Sequence, residues 1–214
     1  MDIEAEKEQI VKAQSNIKEF APLFDEYYPQ ILKYLIGRIR SVEIAQDIAS
    51  VTFLKALENI KKFNCRGISI SSWLYRIATN EVTTYFRKNK TLSLDEIRAC
   101  ENFDPPAIGN PYIEIVQAQE KIENDKKFLN LQNEILKLHI NYQEVIMLRY
   151  FEKKQINEIA EILNKSEGTI KSLLHRGLKK LKKNFQLHNS DARTQPFQNK
   201  NVLNIEQVLV PIKL

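Results

Sequence analysis

The chain has 214 residues, of which 43% are apolar and 28% charged, with only five glycines and seven prolines. That balance excludes a turn-rich β protein and predicts a helix-rich one with one medium or two small domains. A net charge of +5 leans mildly toward a polyanionic partner.

Residues 1–90 carry helical periodicity almost throughout. Ile10, Ala13, Ile17, Phe20 and Phe24 form a first apolar stripe, and Tyr28, Ile31, Leu32, Leu35, Ile36 and Ile39 a second. The cleanest is the third: Ala45, Ile48, Ala49, Thr52, Phe53, Ala56, Leu57 and Ile60. A fourth helix is expected from Trp73 to Phe86, after a loop from Gly67, with Ser72 as its N-cap. Residues 91–125 hold Pro105, Pro106 and Pro111 and eight acids against two bases, which reads as an acidic, partly extended linker. Periodicity resumes near residue 126. Ile156, Ile159, Ala160 and Leu163 mark one short helix, and Ile170, Leu173, Leu174, Gly177, Leu178 and Leu181 mark the next. Asn164 suits the sharp turn between them and Ser166 suits the N-cap, which together spell a helix-turn-helix. Residues 185–214 form a C-terminal tail, rich in Asn and Gln and then apolar around Pro211. The organisation expected is therefore all-α: a domain over 1–90, a linker over 91–125, a second domain over 126–184 and the tail. There is no internal repeat.

Three surfaces stand out. On the third helix, Asp47, Ser50, Val51, Leu54 and Glu58 lie opposite the apolar stripe, and aliphatic groups beside carboxylates suit a protein-docking face. Scattered surface apolar residues are the bland alternative. Residues 61–90 hold seven Lys/Arg against the single acid Glu81, with Phe63, Trp73, Tyr75, Tyr85 and Phe86 interleaved. Cations track a phosphate backbone while aromatic faces receive unstacked bases, so this pattern suits single-stranded nucleic acid. Trp73 and Tyr75 read as core residues rather than as stacking platforms. In the helix-turn-helix, six Lys/Arg and no acid fall between Gly168 and Asn184. Glu167, Thr169, Lys171, Ser172, His175, Arg176 and Lys179 line its exposed face, cationic with short polar groups near the N-terminus and so suited to the DNA major groove; an ordinary amphipathic helix pair with a solvated basic face is the bland alternative.

Chemistry of other kinds has little to stand on. Cys65 and Cys100 are isolated, so neither a zinc site nor a disulfide framework is indicated, and His139, His175 and His188 have no metal-ligand spacing. No metal, cofactor or catalytic residue is expected, and the chain does not read as an enzyme. The start, MDIEAEKEQIVKAQ, is too polar for a signal peptide and no apolar run reaches transmembrane length. A cytoplasmic protein without membrane insertion is expected.

The segments DIASVTFLKALENI, SSWLYRIATNEVTTYFRK and YQEVIMLRYFEKKQINEIAEILNKSEGTIKSLLHRGLKKL, in this order, resemble bacterial sigma factors of the extracytoplasmic-function (ECF) group. The resemblance covers about residues 18–90, the family's region 2, and 127–184, its region 4. No region 1.1 or region 3 domain fits the length. The resemblance implies a promoter-specificity subunit of RNA polymerase, with partners in the β′ clamp helices and the β subunit of the core enzyme and in promoter DNA, both duplex and single-stranded. Asp47, Ser50, Val51, Leu54 and Glu58 would face the clamp helices, although relatives usually carry Gln-Glu where Ser50-Val51 stands. The loop from Phe63 to Ser71, with Arg66, and then Asn80, Thr84, Arg87 and Lys88 would take the −10 element and its opened strand. Thr169, Lys171, Ser172, His175, Arg176 and Lys179 would read the −35 element, with Arg149 as a further phosphate contact. The usual Leu-Pro before region 4 is replaced by Leu138-His139-Ile140-Asn141, which blurs the first helix boundary there. The acidic linker would cross the polymerase's nucleic-acid channel, or be merely solvated. An anti-sigma factor is the inhibitory partner the family often has. The alternative from another class is a free-standing helix-turn-helix regulator, which would bind duplex DNA without polymerase.

Overall fold

Asn16 divides what the periodicity joins into one stripe. In the computed structural model, which describes residues 3–64, 68–89 and 130–191, α1 (Ile3–Ser15) stops there. The Asn16 side chain accepts a hydrogen bond from the Lys18 N–H, a local bond that competes with helix continuation. A 3₁₀ turn (Ile17–Phe20) follows, and then α2 (Ala21–Ile39) with Pro22 in its first turn, where the missing N–H costs nothing. Ile10, Ala13 and Phe20 are buried, whereas Ile17 is 52% and Phe24 37% exposed, because the break rotates them off the shared face. On α2 the buried set is Leu23, Tyr27, Ile31, Tyr34 and Leu35, again rotated from the predicted stripe, with Tyr28 only half-buried.

The third helix, α3 (Val42–Asn59), is the cleanest in the structure as in the sequence. Ala45, Ile48, Ala49, Thr52, Phe53 and Ala56 are buried, with Ile60 just beyond. Ser41 caps it by accepting from the Ile44 N–H at 3.3 Å. A second 3₁₀ turn (Ile60–Lys62) leads to Phe63, and α4 (Ile70–Asn89) begins three residues before the predicted Trp73. Its capping hydroxyl is Ser69, which accepts from the Ser72 N–H at 3.0 Å, so the expected cap Ser72 is instead buried inside the first turn.

The described residues form two compact units: 3–64, 68–89 and 157–165 belong to the first, and 130–156 and 166–191 to the second. In the first, α2, α3 and α4 pack together over Leu23, Ile31, Leu35, Leu74, Ala78 and Val82. Full burial of a Leu, Ile or Val side chain contributes roughly 1.5–3 kcal/mol. Two pairs of polar groups in this core bond to each other: the Tyr34 hydroxyl lies 3.1 Å from Thr79 Oγ1, and Thr52 Oγ1 donates to the Ile48 carbonyl at 2.7 Å. The helix α1 is fastened to α2 by Tyr27, whose hydroxyl donates to Glu6 at 2.6 Å. Burial and the Glu6 carboxylate push that phenol well above its ordinary pKa.

In the second unit, residues 130–136 are helical and a break precedes α5 (Ile140–Ile146). Gln143 spans the break, its Nε2 donating to the Leu136 and Leu138 carbonyls at 2.7 Å each. His139 is the N-cap of α5, which places the helix boundary that the missing Leu-Pro had blurred. A π-helical turn (Met147–Phe151) follows, closed by the Glu152 N–H bonding to the Met147 carbonyl. Further along, α6 (Ile156–Leu163) belongs from Asn157 onward to the first unit, and α7 (Glu167–Asp191) to the second. Between these two, Asn164 adopts φ 50°, the left-handed conformation that Asn tolerates. On α6, Ile159 and Ile162 are buried and Ile156, Ala160 and Leu163 half-buried, so Ile162 joins the predicted stripe. The helix α7 runs seven residues into the segment expected as a tail. Gly177 is a point of close approach between α5 and α7: a Cβ there would lie 3.1 Å from Ile146 Cδ1 and 3.2 Å from Tyr142 Cβ. The linker over 91–125 and residues 192–214 lie outside the described residues.

Candidate nucleic-acid and protein interfaces

The spacing 47, 50, 51, 54 and 58 selects one side of α3, and the structure leaves all five side chains exposed there. Val51 is 40% and Leu54 55% exposed, two of the few large apolar side chains left open on the described surface. Ser50 donates its hydroxyl to the Gln46 carbonyl at 2.9 Å, so it offers little outward hydrogen-bonding. The face is therefore an apolar centre of Val51 and Leu54 between the carboxylates of Asp47 and Glu58. Such a centre suits burial against another protein, with the charges at its edge setting orientation.

The second candidate surface is a cleft between α3 and α4, of about 370 Å³, lined in part by Phe63, Trp73, Asn80, Lys55, Lys62 and Glu81. Phe63 is mostly buried, and its ring lies 4.6 Å from that of Trp73 with the planes 32° apart. Trp73 is half-buried, so it is the more accessible aromatic surface of the pair, whereas Tyr75 is core. Lys55 and Glu81 close one wall with an ion pair of 2.6 Å. Below the cleft, Asn80, Thr84, Arg87 and Lys88 step along one stripe of α4, exposed except for the half-buried Thr84. An aromatic pocket with amide and ammonium groups at its rim can accept an unstacked base, and the stripe beyond can follow its phosphates. Arg66, predicted for this surface, lies outside the described residues.

The turn into this cleft is held by a residue that the sequence did not single out. Gln14 on α1 donates from Nε2 to the Ile60 carbonyl at 3.1 Å and to the Phe63 carbonyl at 2.6 Å. Nothing in its neighbourhood of the sequence announces that bond, since the partners lie 46 and 49 residues away.

The third surface is the outer face of α7. Ser166 caps the helix, accepting from the Thr169 N–H at 3.2 Å and pairing its hydroxyl with Thr169 Oγ1 at 2.9 Å. Thr169, Lys171, His175, Arg176 and Lys179 are exposed and Ser172 half-buried, while Ile170, Leu174, Gly177 and Leu181 face inward. Lys171 pairs with Glu167 at 3.3 Å, and Arg176 donates to Ser172 Oγ at 2.5 Å. Both contacts are exposed and of the i, i+4 type, worth a few tenths of a kcal/mol, so both cations can be recruited elsewhere at little cost. Arg149, by contrast, is engaged locally: its Nη1 donates to the Lys154 carbonyl at 2.9 Å and to Gln155 Oε1 at 3.2 Å, bracing the turn where Lys153 takes φ 54°.

Among the described residues no helix is long and apolar enough to cross a membrane. Comparison with known proteins adds to this geometry. Residues 23–91 match the Sigma-70 region 2 family and residues 128–181 the Sigma-70, region 4 family. The chain is 33% identical over 171 residues to the RNA polymerase sigma factor YlaC of Bacillus subtilis (strain 168), a match spanning 80% of this chain and 94% of YlaC. It is 35% identical over 173 residues to the ECF RNA polymerase sigma factor SigW of the same organism, spanning 78% and 89%. Among solved structures it is similar to CnrH in complex with the cytosolic domain of CnrY, with a TM-score of 0.61, 17% identity and coverage of 86% and 98%. It is also similar to the sigma factor RpoE in complex with the anti-sigma factor NepR from Bartonella quintana, with a TM-score of 0.55, 20% identity and coverage of 79% and 98%. At those identities the two structures share the fold alone. The helix α1 lies ahead of the region 2 match.

Proposed function

Because the chain belongs to the ECF group of RNA polymerase sigma factors and directs promoter-specific transcription initiation, we propose that its three exposed surfaces divide that work. The α3 face docks on the β′ clamp helices of core polymerase. The cleft at Phe63 and Trp73, with Asn80, Thr84, Arg87 and Lys88, holds the −10 element and its opened strand, Arg66 joining from the preceding loop. The α7 face, from Thr169 to Lys179, reads the −35 element in the duplex. The β subunit is the further contact on core enzyme, and the cell compartment is the cytoplasm, where polymerase and promoter meet. Sigma factors are not enzymes; catalysis belongs to the polymerase, and this chain selects where it begins.

The observation that carries the docking assignment is the exposure of Val51 and Leu54 between Asp47 and Glu58 on one side of α3. Leu54→Arg places a charge in the apolar centre, and Asp47→Lys reverses the edge. Each should reduce capture of core polymerase at least tenfold, about 1.4 kcal/mol, while leaving the helix content unchanged. Full polymerase binding by both variants would remove α3 as the docking face. An inhibitory anti-sigma partner is supported by the RpoE relative, whose structure holds one. Co-purification from cells with and without the inducing condition tests it.

A further inference from the structure

The cationic face of α7 does not end with the reading positions but continues past Lys179. Arg176, Lys179 and Lys183 extend the stripe of Thr169 and Ser172 at three- and four-residue steps, and Lys180 lies beside them. With Lys137, which pairs with Glu134 at 2.8 Å, and His139 from the segment leading into α5, they border an open groove of about 1030 Å³ with no carboxylate among its described lining residues. Lys180 is steadied by the Tyr142 ring, 5.6 Å from its ammonium. His139 Nδ1 accepts from the Asn141 N–H at 3.4 Å. The Lys and Arg groups named here are hydrogen-bond donors only, and phosphodiester oxygens are acceptors only.

We propose that this groove grips the phosphate backbone of the promoter duplex just outside the −35 element, as an anchor indifferent to sequence. The proposal rests on α7 reading that element. From Thr169 to Lys183 the helix advances about 21 Å at 1.5 Å per residue, whereas the major groove is about 12 Å wide. With the N-terminal turns of α7 among the base edges, the last turns have outgrown the groove and lie over its phosphate wall. Lysines predominate there, and a lysine is a point charge that needs no fixed fork geometry, as suits contacts independent of sequence. The rival occupant is the acidic segment of this same chain, residues 91–125. Continuity of the cationic stripe with the reading face favours DNA.

The test uses polymerase holoenzyme reconstituted with Lys180→Ala/Lys183→Ala, both exposed positions where alanine keeps the helix. Binding to a −35 duplex is measured across a salt series. The slope of log affinity against log salt should fall by about 0.9 for each lost phosphate contact, about 1.8 for the pair. Preference for the −35 sequence over a scrambled one should be unchanged. The difference from wild type should vanish on a duplex trimmed to the edge of the element, and Lys180→Arg/Lys183→Arg should restore the slope. An unaltered slope with −35 preference intact overturns the groove alone. Wild-type holoenzyme blind to the scrambled −35 overturns the reading beneath it. If neutralising Asp95, Glu96, Glu101 and Asp104 raises DNA affinity only while Lys180 and Lys183 are present, the groove belongs to the acidic segment instead.

Discussion

Gly177 shows how one missing side chain sets a helix approach. Its neighbours at 3.1–3.2 Å include Tyr142 Cβ, an atom tied directly to the α5 backbone and unable to swing aside. A glycine within a helix costs about 1 kcal/mol relative to alanine, and here that cost is offset by close packing of α5 on α7. Gly177→Val should therefore destabilise the second unit by about 1–3 kcal/mol through overpacking, despite the valine's greater helix propensity. Urea unfolding followed at that unit would show it as a lowered midpoint with an unchanged slope. A stabilised variant would mean that α5 and α7 are free to separate.

At the scale of elements, α1 acts on a site to which it contributes no reading residue. Loss of the two Gln14 bonds in Gln14→Ala should cost roughly 1–3 kcal/mol of stability, at about 0.5–1.5 kcal/mol for each bond. Its functional mark should fall at the turn that carries Phe63: promoter opening slows on duplex templates and recovers on templates already melted at the −10 element. Permanganate reactivity of the opened strand reads this directly. Equal impairment on both templates would assign Gln14 to stability alone. The two elements proposed to face DNA, α4 and α7, should likewise separate. Lys171→Ala or Arg176→Ala should weaken −35 binding and reduce its salt dependence, because each removes about one phosphate or base contact. Asn80→Ala should leave −35 binding intact and alter preference at the −10 element. Identical defects from α4 and α7 variants would contradict the division of labour.

For the whole molecule, coupling between the two readers is expected to come from the polymerase that holds both. Promoters should then require a strict spacing between the −35 and −10 elements, and inserting a few residues within 91–125 should leave that spacing unchanged. The eight carboxylates of that segment are then available for the polymerase's cationic channel, where nascent RNA must displace them. Neutralising Asp95, Glu96, Glu101 and Asp104 should preserve promoter choice while changing the ratio of abortive to full-length transcripts. A shift in spacing preference, or no change in early products, would remove the segment from the channel.

Much of this protein was legible in the order of its residues. The α3 stripe, the Ser166 cap, the Asn164 turn and the exposed face of α7 follow from periodicity and turn chemistry, which act over a few residues and so are written locally. Residue types and spacings also carried the family resemblance. Tertiary structure alone decided what depends on distant partners. The phase of the first two stripes was set by a break at Asn16 and by which side of α2 met α3 and α4. Phe63 came to rest against Trp73, and Gln14 found carbonyls more than forty residues away. The groove beside α7 formed only when Lys137 and His139 were brought to the far end of that helix. A local pattern chooses the faces that can be buried, but only packing chooses which faces meet, because contact energy belongs to pairs of surfaces and not to either segment alone.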